Sequence, residues 1–335
     1  MAKPRVVVTQ KIFPEIERLL NQHFETKFSN NTLAMPKPKL IRAAGQADGL
    51  LSFLTDQIDG AVLEKLPKIK IVANFAVGYN NIDVDNATRR NIAVTNTPGV
   101  LTQATADLTW ALILATVRNI AAGDRYVRQG KFKGWQPDLL LGLDLPGKTL
   151  GIVGLGRIGA EVAKKAKAFG LNVIYCDQYP NQKIADEAGA RLVTLEELLK
   201  ESDIVSLHAP LTKETRHLMD TRRFGLMKPT AYLINTARGP LVDEKALVTA
   251  LKKRRLAGAG LDVYENEPRL ANGLAKLPNA VLVPHLGSAA YETRLKMARM
   301  AADNLIAFFS GQPPPNCVNP QVLRTNPSAT AFQKT

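Results

Sequence analysis

The sequence predicts an α/β protein made of two doubly wound parallel-sheet domains. Short apolar runs alternate with helical segments along nearly the whole chain, the pattern of parallel strands covered by helices, and the series occurs twice. With 335 residues, 45% of them hydrophobic and 22% charged, the chain has enough apolar surface for two cores of ordinary size.

In the first series, strand-like runs cover Arg5 to Thr9, Gly49 to Phe53, Ile69 to Ala73 and Ala93 to Thr95, separated by helical stretches such as Pro14 to His23 and Ile82 to Arg90. A long helical pattern from Gln103 to Gln129 follows, then an extended arm containing Trp135 that ends at Pro146-Gly147. The second series has six strands, at Thr149 to Val153, Asn172 to Tyr175, Ile204 to Leu207, Ala231 to Ile234, Ala259 to Leu261 and Val281 to Val283. Six in order make a complete dinucleotide-binding sheet. A helix from about Ala290 to Phe309, stopped by Pro313-Pro314-Pro315, returns the chain to the first domain. The polar, aromatic-poor tail after Asn319 is expected to be disordered.

Composition narrows the class of function. The longest apolar stretch, Leu108 to Ile120, is interrupted by Thr109, Thr116, Arg118 and Asn119 and is too short and polar for a membrane span. The N-terminus reads as a first strand, without a signal-peptide pattern, so the protein is expected in the cytoplasm with no membrane partner. Cys176 and Cys317 are far apart and have no neighbours at metal-ligand spacing, so no disulfide framework and no metal site is expected. The formal charge of +14 raises nucleic acid as a partner. Against it, the basic residues are scattered, and the run Lys252-Lys253-Arg254-Arg255 falls where a helix from near Asp243 ends, a place that favours cations by itself. No nucleic-acid partner is therefore expected.

The strand Thr149 to Val153 runs into Gly154-Leu155-Gly156-Arg157-Ile158-Gly159 and then a helix from Ala160 to Phe169. A bare GxGxxG is weak evidence, but here strand, loop and helix are all present. The first glycine allows a tight turn, the second admits pyrophosphate to the backbone, and the third packs helix on strand, with free helix amides facing the phosphates. Asp177 closes the next strand, eighteen residues past Gly159, where a carboxylate binds the ribose hydroxyls and repels a 2′-phosphate. The cofactor is thus expected to be NAD, with NADH preferred over NADPH.

Ligands of open parallel sheets bind beyond the carboxyl ends of the strands. The reactive side chains just past those ends are His208, Arg238, Asp262 with Glu267, and His285. Hydride transfer to a ketone needs a proton donor, a group that sets the donor's charge, and a cation for the substrate. His285, Glu267 and Arg238 supply the three roles. A lone histidine at a strand end is more often structural, and it is the carboxylate and arginine nearby that favour a catalytic one here. His208 is the lesser competitor, placed along the adenine side of the cleft, and His23 and His217 are assigned no role.

Arg238, Asp262, Glu267 and His285 lie in stretches that, with two others, resemble the D-2-hydroxyacid dehydrogenase family, in its glyoxylate/hydroxypyruvate reductase branch: Asn74 to Asp83, Gly154 to Gly159, Asn235 to Gly239, Gly260 to Pro268, and Pro284 to Ser288. The resemblance implies Arg238 as the substrate-binding, carbonyl-polarising cation, Glu267 as the partner of His285, and His285 as general acid. It also implies that the Val77 and Gly78 amides bind the substrate carboxylate, with Leu54 and Leu101 nearby. Around the cofactor it points to Thr105, Pro210, Thr215, Thr236, Ala237, Asp262 and Gly287, with Asp262 holding the carboxamide. It implies a homodimer through the long helix, Trp135 reaching the neighbouring subunit; the alternative is a Trp buried in the arm's own packing. The implied fold is a Rossmann NAD-binding domain, 102–286, inserted into a flavodoxin-like substrate domain, 1–101 with 287–319, before the tail 320–335.

Some departures narrow the branch. Val77 stands where phosphite-oxidising members carry lysine, the regulatory domain found in many phosphoglycerate dehydrogenases is not expected after the second crossing, and Glu267 differs from the glutamine of formate dehydrogenases. Reduction of glyoxylate or hydroxypyruvate to the D-2-hydroxy acid is therefore expected first, other short 2-keto acids next. A second class, an NAD(H)-sensing corepressor of the same family, is compatible with the +14 charge.

Overall fold

The computed structural model describes residues 2–323. The chain divides into two compact units, one of residues up to Leu101 together with those from Ala290 on, the other Thr102–Ala289. The second crossing therefore falls at Ala290, a few residues beyond the expected 287.

The first unit runs β1 (Arg5–Val8), α1 (Pro14–His23), β2 (Glu25–Phe28), α2 (Lys37–Ala44), β3 (Gly49–Phe53), α3 (Gly60–Glu64), β4 (Ile71–Phe75), α4 (Val84–Arg89) and β5 (Ala93–Thr95), and is completed by the C-terminal helix Tyr291–Phe309. Its parallel sheet has the order β2-β1-β3-β4-β5, so the winding reverses between β1 and β3. Alternate strand residues feed two cores. Val6, Val8, Leu51 and Ile71 pack with Leu305 and Phe308 of the C-terminal helix, while Val7, Leu50 and Val72 pack with Leu40, Val62 and Leu63. Burial on both faces is why these strands read as continuous apolar runs. The edge strand β2, Glu25-Thr26-Lys27-Phe28, is polar and half-exposed and carries no such signal. Asp59 and Asp83 start α3 and α4 by accepting hydrogen bonds from the Val62 and Asn86 amides.

The second unit runs α5 (Thr102–Val117), α6 (Ile120–Arg128), β6 (Thr149–Val153), α7 (Arg157–Ala166), β7 (Asn172–Cys176), α8 (Gln182–Ala188), β8 (Ala190–Leu192), α9 (Leu195–Glu201), β9 (Ile204–Leu207), α10 (Thr221–Phe224), β10 (Tyr232–Asn235), α11 (Glu244–Lys252), β11 (Gly258–Leu261) and β12 (Ala280–Leu282). Its sheet has seven parallel strands, not six, in the order β12-β11-β10-β9-β6-β7-β8. The additional strand is β8, a three-residue edge whose Arg191 and Leu192 are exposed, so only its pairing with β7 marks it.

The register aligns the carboxyl ends of the strands. Val153 pairs with both Cys176 and Leu207, Asn235 with both Leu207 and Leu261, and Leu261 with Leu282. Gly154, Asp177, His208, Thr236 and Asp262 therefore all leave the sheet at one edge.

The helix expected from Gln103 to Gln129 is two helices. Asn119 between them is left-handed, φ 55°, a conformation asparagine tolerates better than other side-chain-bearing residues. Its amide donates to the Leu140 and Leu141 carbonyls, tying the arm to the break. α5 buries residues all round, whereas α6 buries none. A second correction concerns the tail. Pro320–Leu323 forms a 3-10 turn with Val322 buried in the first unit's core; the rest of the tail lies outside the described residues. Among the described residues no helix is long and apolar enough to cross a membrane.

Candidate active site

At the carboxyl end of β6, Gly154 adopts φ 92°, and a Cβ there would lie 2.8 Å from the Ala209 amide nitrogen, so both its conformation and its space demand glycine. A Cβ at Gly159 would fall 2.2 Å from the Gly154 carbonyl oxygen, which lets α7 seat directly on the turn. Around Gly156, the N-cap of α7, a Cβ would meet nothing within 4 Å. That open space, beside first-turn amides with no intrahelical partner, fits a pyrophosphate.

Asp177 accepts the Leu155 amide on one carboxylate oxygen at 2.7 Å and the Tyr179 amide on the other at 2.9 Å, which anchors it at the glycine loop. Each oxygen keeps a lone pair for a ribose hydroxyl. Burial and the charge of Asp177 push the neighbouring Cys176 thiol up to about 12, so it stays protonated and unreactive.

At the carboxyl end of β9, His208 Nε2 lies 2.8 Å from Ser206 Oγ, and desolvation pushes this ring down to about 3. It is neutral near pH 7 and no proton donor of the imidazolium kind. Thr215 donates to the Pro210 carbonyl at 2.7 Å, closing the turn after β9.

The loop after β10 is shaped by Asn235. Its side-chain oxygen accepts the Ala237 amide at 3.1 Å and its nitrogen donates to the Arg238 carbonyl at 2.9 Å. Arg238 Nη1 donates to the Ala237 carbonyl at 2.7 Å. Burial pulls the guanidinium below its ordinary value and the Glu267 charge raises it in part, so a partly desolvated cation stands here. A Cβ on the next residue, Gly239, would lie 1.9 Å from the backbone carbonyl of Tyr264, so the Arg238 loop and the Glu267 loop are in direct backbone contact.

His285 follows β12 in a left-handed conformation, φ 54°, and its Nδ1 lies 2.9 Å from Glu267 Oε2. Non-glycine residues at positive φ concentrate at functional sites. Glu267 is held below the usual carboxylate range: burial opposes this, but the His285 hydrogen bond and charge, the Tyr264 amide and Arg238 outweigh it. A carboxylate only accepts, so Nδ1 carries the proton and Nε2 is the nitrogen left for substrate.

Asp262 sets this geometry from below. Fully buried, it accepts the Leu286 amide (2.5 Å) and the Gly287 amide (2.9 Å), and its carbonyl accepts the His285 amide at 2.9 Å. The Thr105 hydroxyl donates to the Gly287 carbonyl at 2.9 Å. Thr109 donates to the Thr105 carbonyl, which leaves the Thr236 hydroxyl as donor to Thr109 at 2.8 Å. Asp262, Thr105 and Thr236 thus have structural partners that the sequence does not reveal; Asn235 and Tyr264 lie inside the resembling stretches without a role read for them, and Thr109 joins the site unannounced by any motif.

In the first unit, Leu54 and Val77-Gly78 follow β3 and β4, whose ends are in register at Phe53 and Phe75. The Ala76 carbonyl accepts the Thr97 amide at 2.9 Å and the Val77 carbonyl accepts Asn96 Nδ2 at 2.7 Å. In trans peptides the N–H points opposite the C=O, so these bonds aim the Val77 and Gly78 amides as a pair away from Asn96 and Thr97. Leu101 is the last residue of this segment, half-buried.

The sequence profile of the D-isomer specific 2-hydroxyacid dehydrogenase NAD-binding domain matches residues 110–287, more than half of the chain. The chain belongs to this family. Glyoxylate reductases of Thermococcus litoralis and Aeropyrum pernix are 49% and 50% identical to it over 329 residues each, spanning 97% of this chain and 99% and 98% of theirs. Among solved structures, a Thermus thermophilus protein superimposes with a TM-score of 0.88 at 47% identity, covering 94% of this chain and 99% of that one. An NADPH-dependent glyoxylate/hydroxypyruvate reductase of Sinorhizobium meliloti, in complex with NADP and malonate, does so with a TM-score of 0.84 at 36% identity, covering 95% and 97%. This 2-hydroxyacid dehydrogenase is therefore an oxidoreductase with a Rossmann NAD-binding domain, as the glycine loop and the strand-end residues lead one to expect.

Proposed function

We propose that this chain reduces glyoxylate and hydroxypyruvate to the D-2-hydroxy acids, with NADH as preferred reductant. The observation that carries the reading is the Glu267–His285 pair beside Arg238, because it is a proton donor whose charge is set by a carboxylate, next to a cation for the keto acid. The nicotinamide, when bound, supplies the hydride. His285 Nε2 delivers the proton to the carbonyl oxygen, Glu267 holds Nδ1 of the ring, and Arg238 polarises the carbonyl. The Val77 and Gly78 amides are assigned to the substrate carboxylate. Gly154 to Gly159 would hold the pyrophosphate and Asp177 the adenosine ribose. Thr105, His208, Pro210, Thr215, Thr236, Ala237, Asp262 and Gly287 are assigned to the remaining cofactor contacts, of which Asp262 is assigned to the carboxamide.

The test is steady-state reduction of both keto acids with chiral analysis of the glycerate. D-glycerate and a higher kcat/KM with NADH than with NADPH are expected, and Asp177→Ala should narrow that gap. L-glycerate would overturn the stereochemical assignment, and an NADPH preference the assignment of Asp177. Binding of NADH without turnover would favour a corepressor role.

We further propose a homodimer. Among the exposed apolar residues, Ile120 and Val127 of α6 and Phe132, Trp135 and Leu141 of the arm lie close in sequence, and such a concentration marks an interface. Trp135 is 83% exposed, so the arm's own packing does not bury it. It is assigned to the neighbouring subunit's substrate pocket. Sedimentation should give twice the chain mass, Val127→Glu should lower it, and Trp135→Ala should change KM or keto-acid preference with the dimer intact. A wild-type monomer would end both ideas.

A further inference from the structure

Glu244 opens α11 directly after the N-cap Asp243, a position that in sequence reads as an ordinary solvated first-turn acid. In the structure it is only 3% exposed. Its two carboxylate oxygens do separate work: Oε1 accepts the Glu265 amide at 2.5 Å and Oε2 the Ala271 amide at 2.9 Å. Between those two amides lies the turn that carries Glu267, closed by the Arg269 amide donating to the Asn266 carbonyl at 2.9 Å. A buried carboxylate is costly unless its lone pairs are met by donors, so the cost of burying Glu244 ties it to both ends of the turn.

We propose that Glu244 is a positioning residue for the reaction: by clamping both ends of the Asn266–Arg269 turn it fixes Glu267 Oε2 against His285 Nδ1. It touches neither substrate nor cofactor in this assignment and acts through Glu267. The inference rests on the proposed roles of Glu267 and His285. Arg238, Asp262 and Tyr264 are the other ionisable groups facing that pair; none of them hydrogen-bonds Glu244, whose charge also helps to push the Tyr264 hydroxyl up, while its bonded path to Glu267 runs through the turn.

Glu244→Gln retains the size of the side chain but sets an NH2 against one of the two amides. Its kcat for glyoxylate should fall about tenfold, the order that a sub-ångström misplacement of a catalytic group produces, with KM for NADH unchanged. Amide hydrogen exchange should quicken in the segment 264–271 and not in the β6–α7 loop. The deciding measurement is the cycle with Glu267→Gln. If Glu244 acts through Glu267, its substitution costs little further rate in the Glu267→Gln background; a merely structural role multiplies the two losses. An undiminished second loss, or a Glu244→Gln enzyme with wild-type kcat, overturns the inference while leaving Glu267 in place. A Glu267→Gln enzyme at full rate removes the underlying reading and the inference together. Should Glu244→Gln fail to fold, exchange in the wild-type protein still decides: slow Glu265 and Ala271 amides are expected, and exchange at the rate of an open loop refutes the clamp.

Discussion

Substituting His285 by asparagine is expected to lower kcat/KM for glyoxylate reduction by roughly 10²- to 10⁴-fold, the range for loss of a general acid. Asparagine is chosen because residue 285 is left-handed and asparagine accepts that conformation, so the backbone bonds of Asp262 to residues 285–287 survive. The dissociation constant for NADH should be unchanged, since no cofactor role falls to this ring. Stopped-flow reduction, paired with NADH titration by fluorescence, checks both. Turnover near the wild-type rate would take His285 out of the mechanism. His208 would not then be a ready substitute, because desolvation keeps its ring neutral near pH 7.

Arg238→Ala is expected to lower kcat by about 10²- to 10³-fold, the loss seen when a preorganised charge-stabilising donor is deleted. The argument is one of preorganisation. Asn235 braces both sides of the Arg238 peptide, Gly239 locks the loop to Tyr264, and Nη1 is held by the Ala237 carbonyl. The guanidinium therefore waits in one orientation, partly stripped of water, where its charge acts more strongly than in solvent. Arg238→Lys should restore only part of the rate, since an ammonium lacks the planar fork that can hold Ala237 and the substrate together. Full activity in the lysine variant would show that charge alone suffices; full activity in the alanine variant would assign the cation's role elsewhere. Measuring kcat and KM separately for glyoxylate makes the distinction.

Much of this site was legible because its parts are local. The glycine loop is a contiguous string whose three glycines each answer a steric demand, and Asp177, His208, Arg238 and His285 lie within a few residues of strand ends that apolar runs announce. The interactions that place them are another matter. Nothing in Val-Asp-Glu-Lys at residues 242–245 separates a buried Glu244 from a solvated one, since burial depends on a loop some twenty residues away packing over it. Asn235 reads as the polar end of a strand until its side chain is seen to bridge Ala237 and Arg238. The pattern from Gln103 to Gln129 is continuous in helix propensity, and the break at Asn119 shows only once the arm's carbonyls at Leu140 and Leu141 are there to hold it.

Elements buried on both faces left the strongest trace in the chain, and the exposed edges β2 and β8 left almost none, because an edge strand is specified by its neighbour's backbone more than by its own side chains. The composition and order of residues thus settled two parallel α/β units, the nucleotide loop and the chemical identity of the reactive groups, all of which follow from short-range pattern. Folding alone decided which oxygen of Glu267 meets which nitrogen of His285, that Asp262 spends both oxygens on the backbone beyond His285, and that Glu244 grips the Glu267 turn. These are long-range hydrogen bonds, and their partners become neighbours only when the sheet aligns its strand ends.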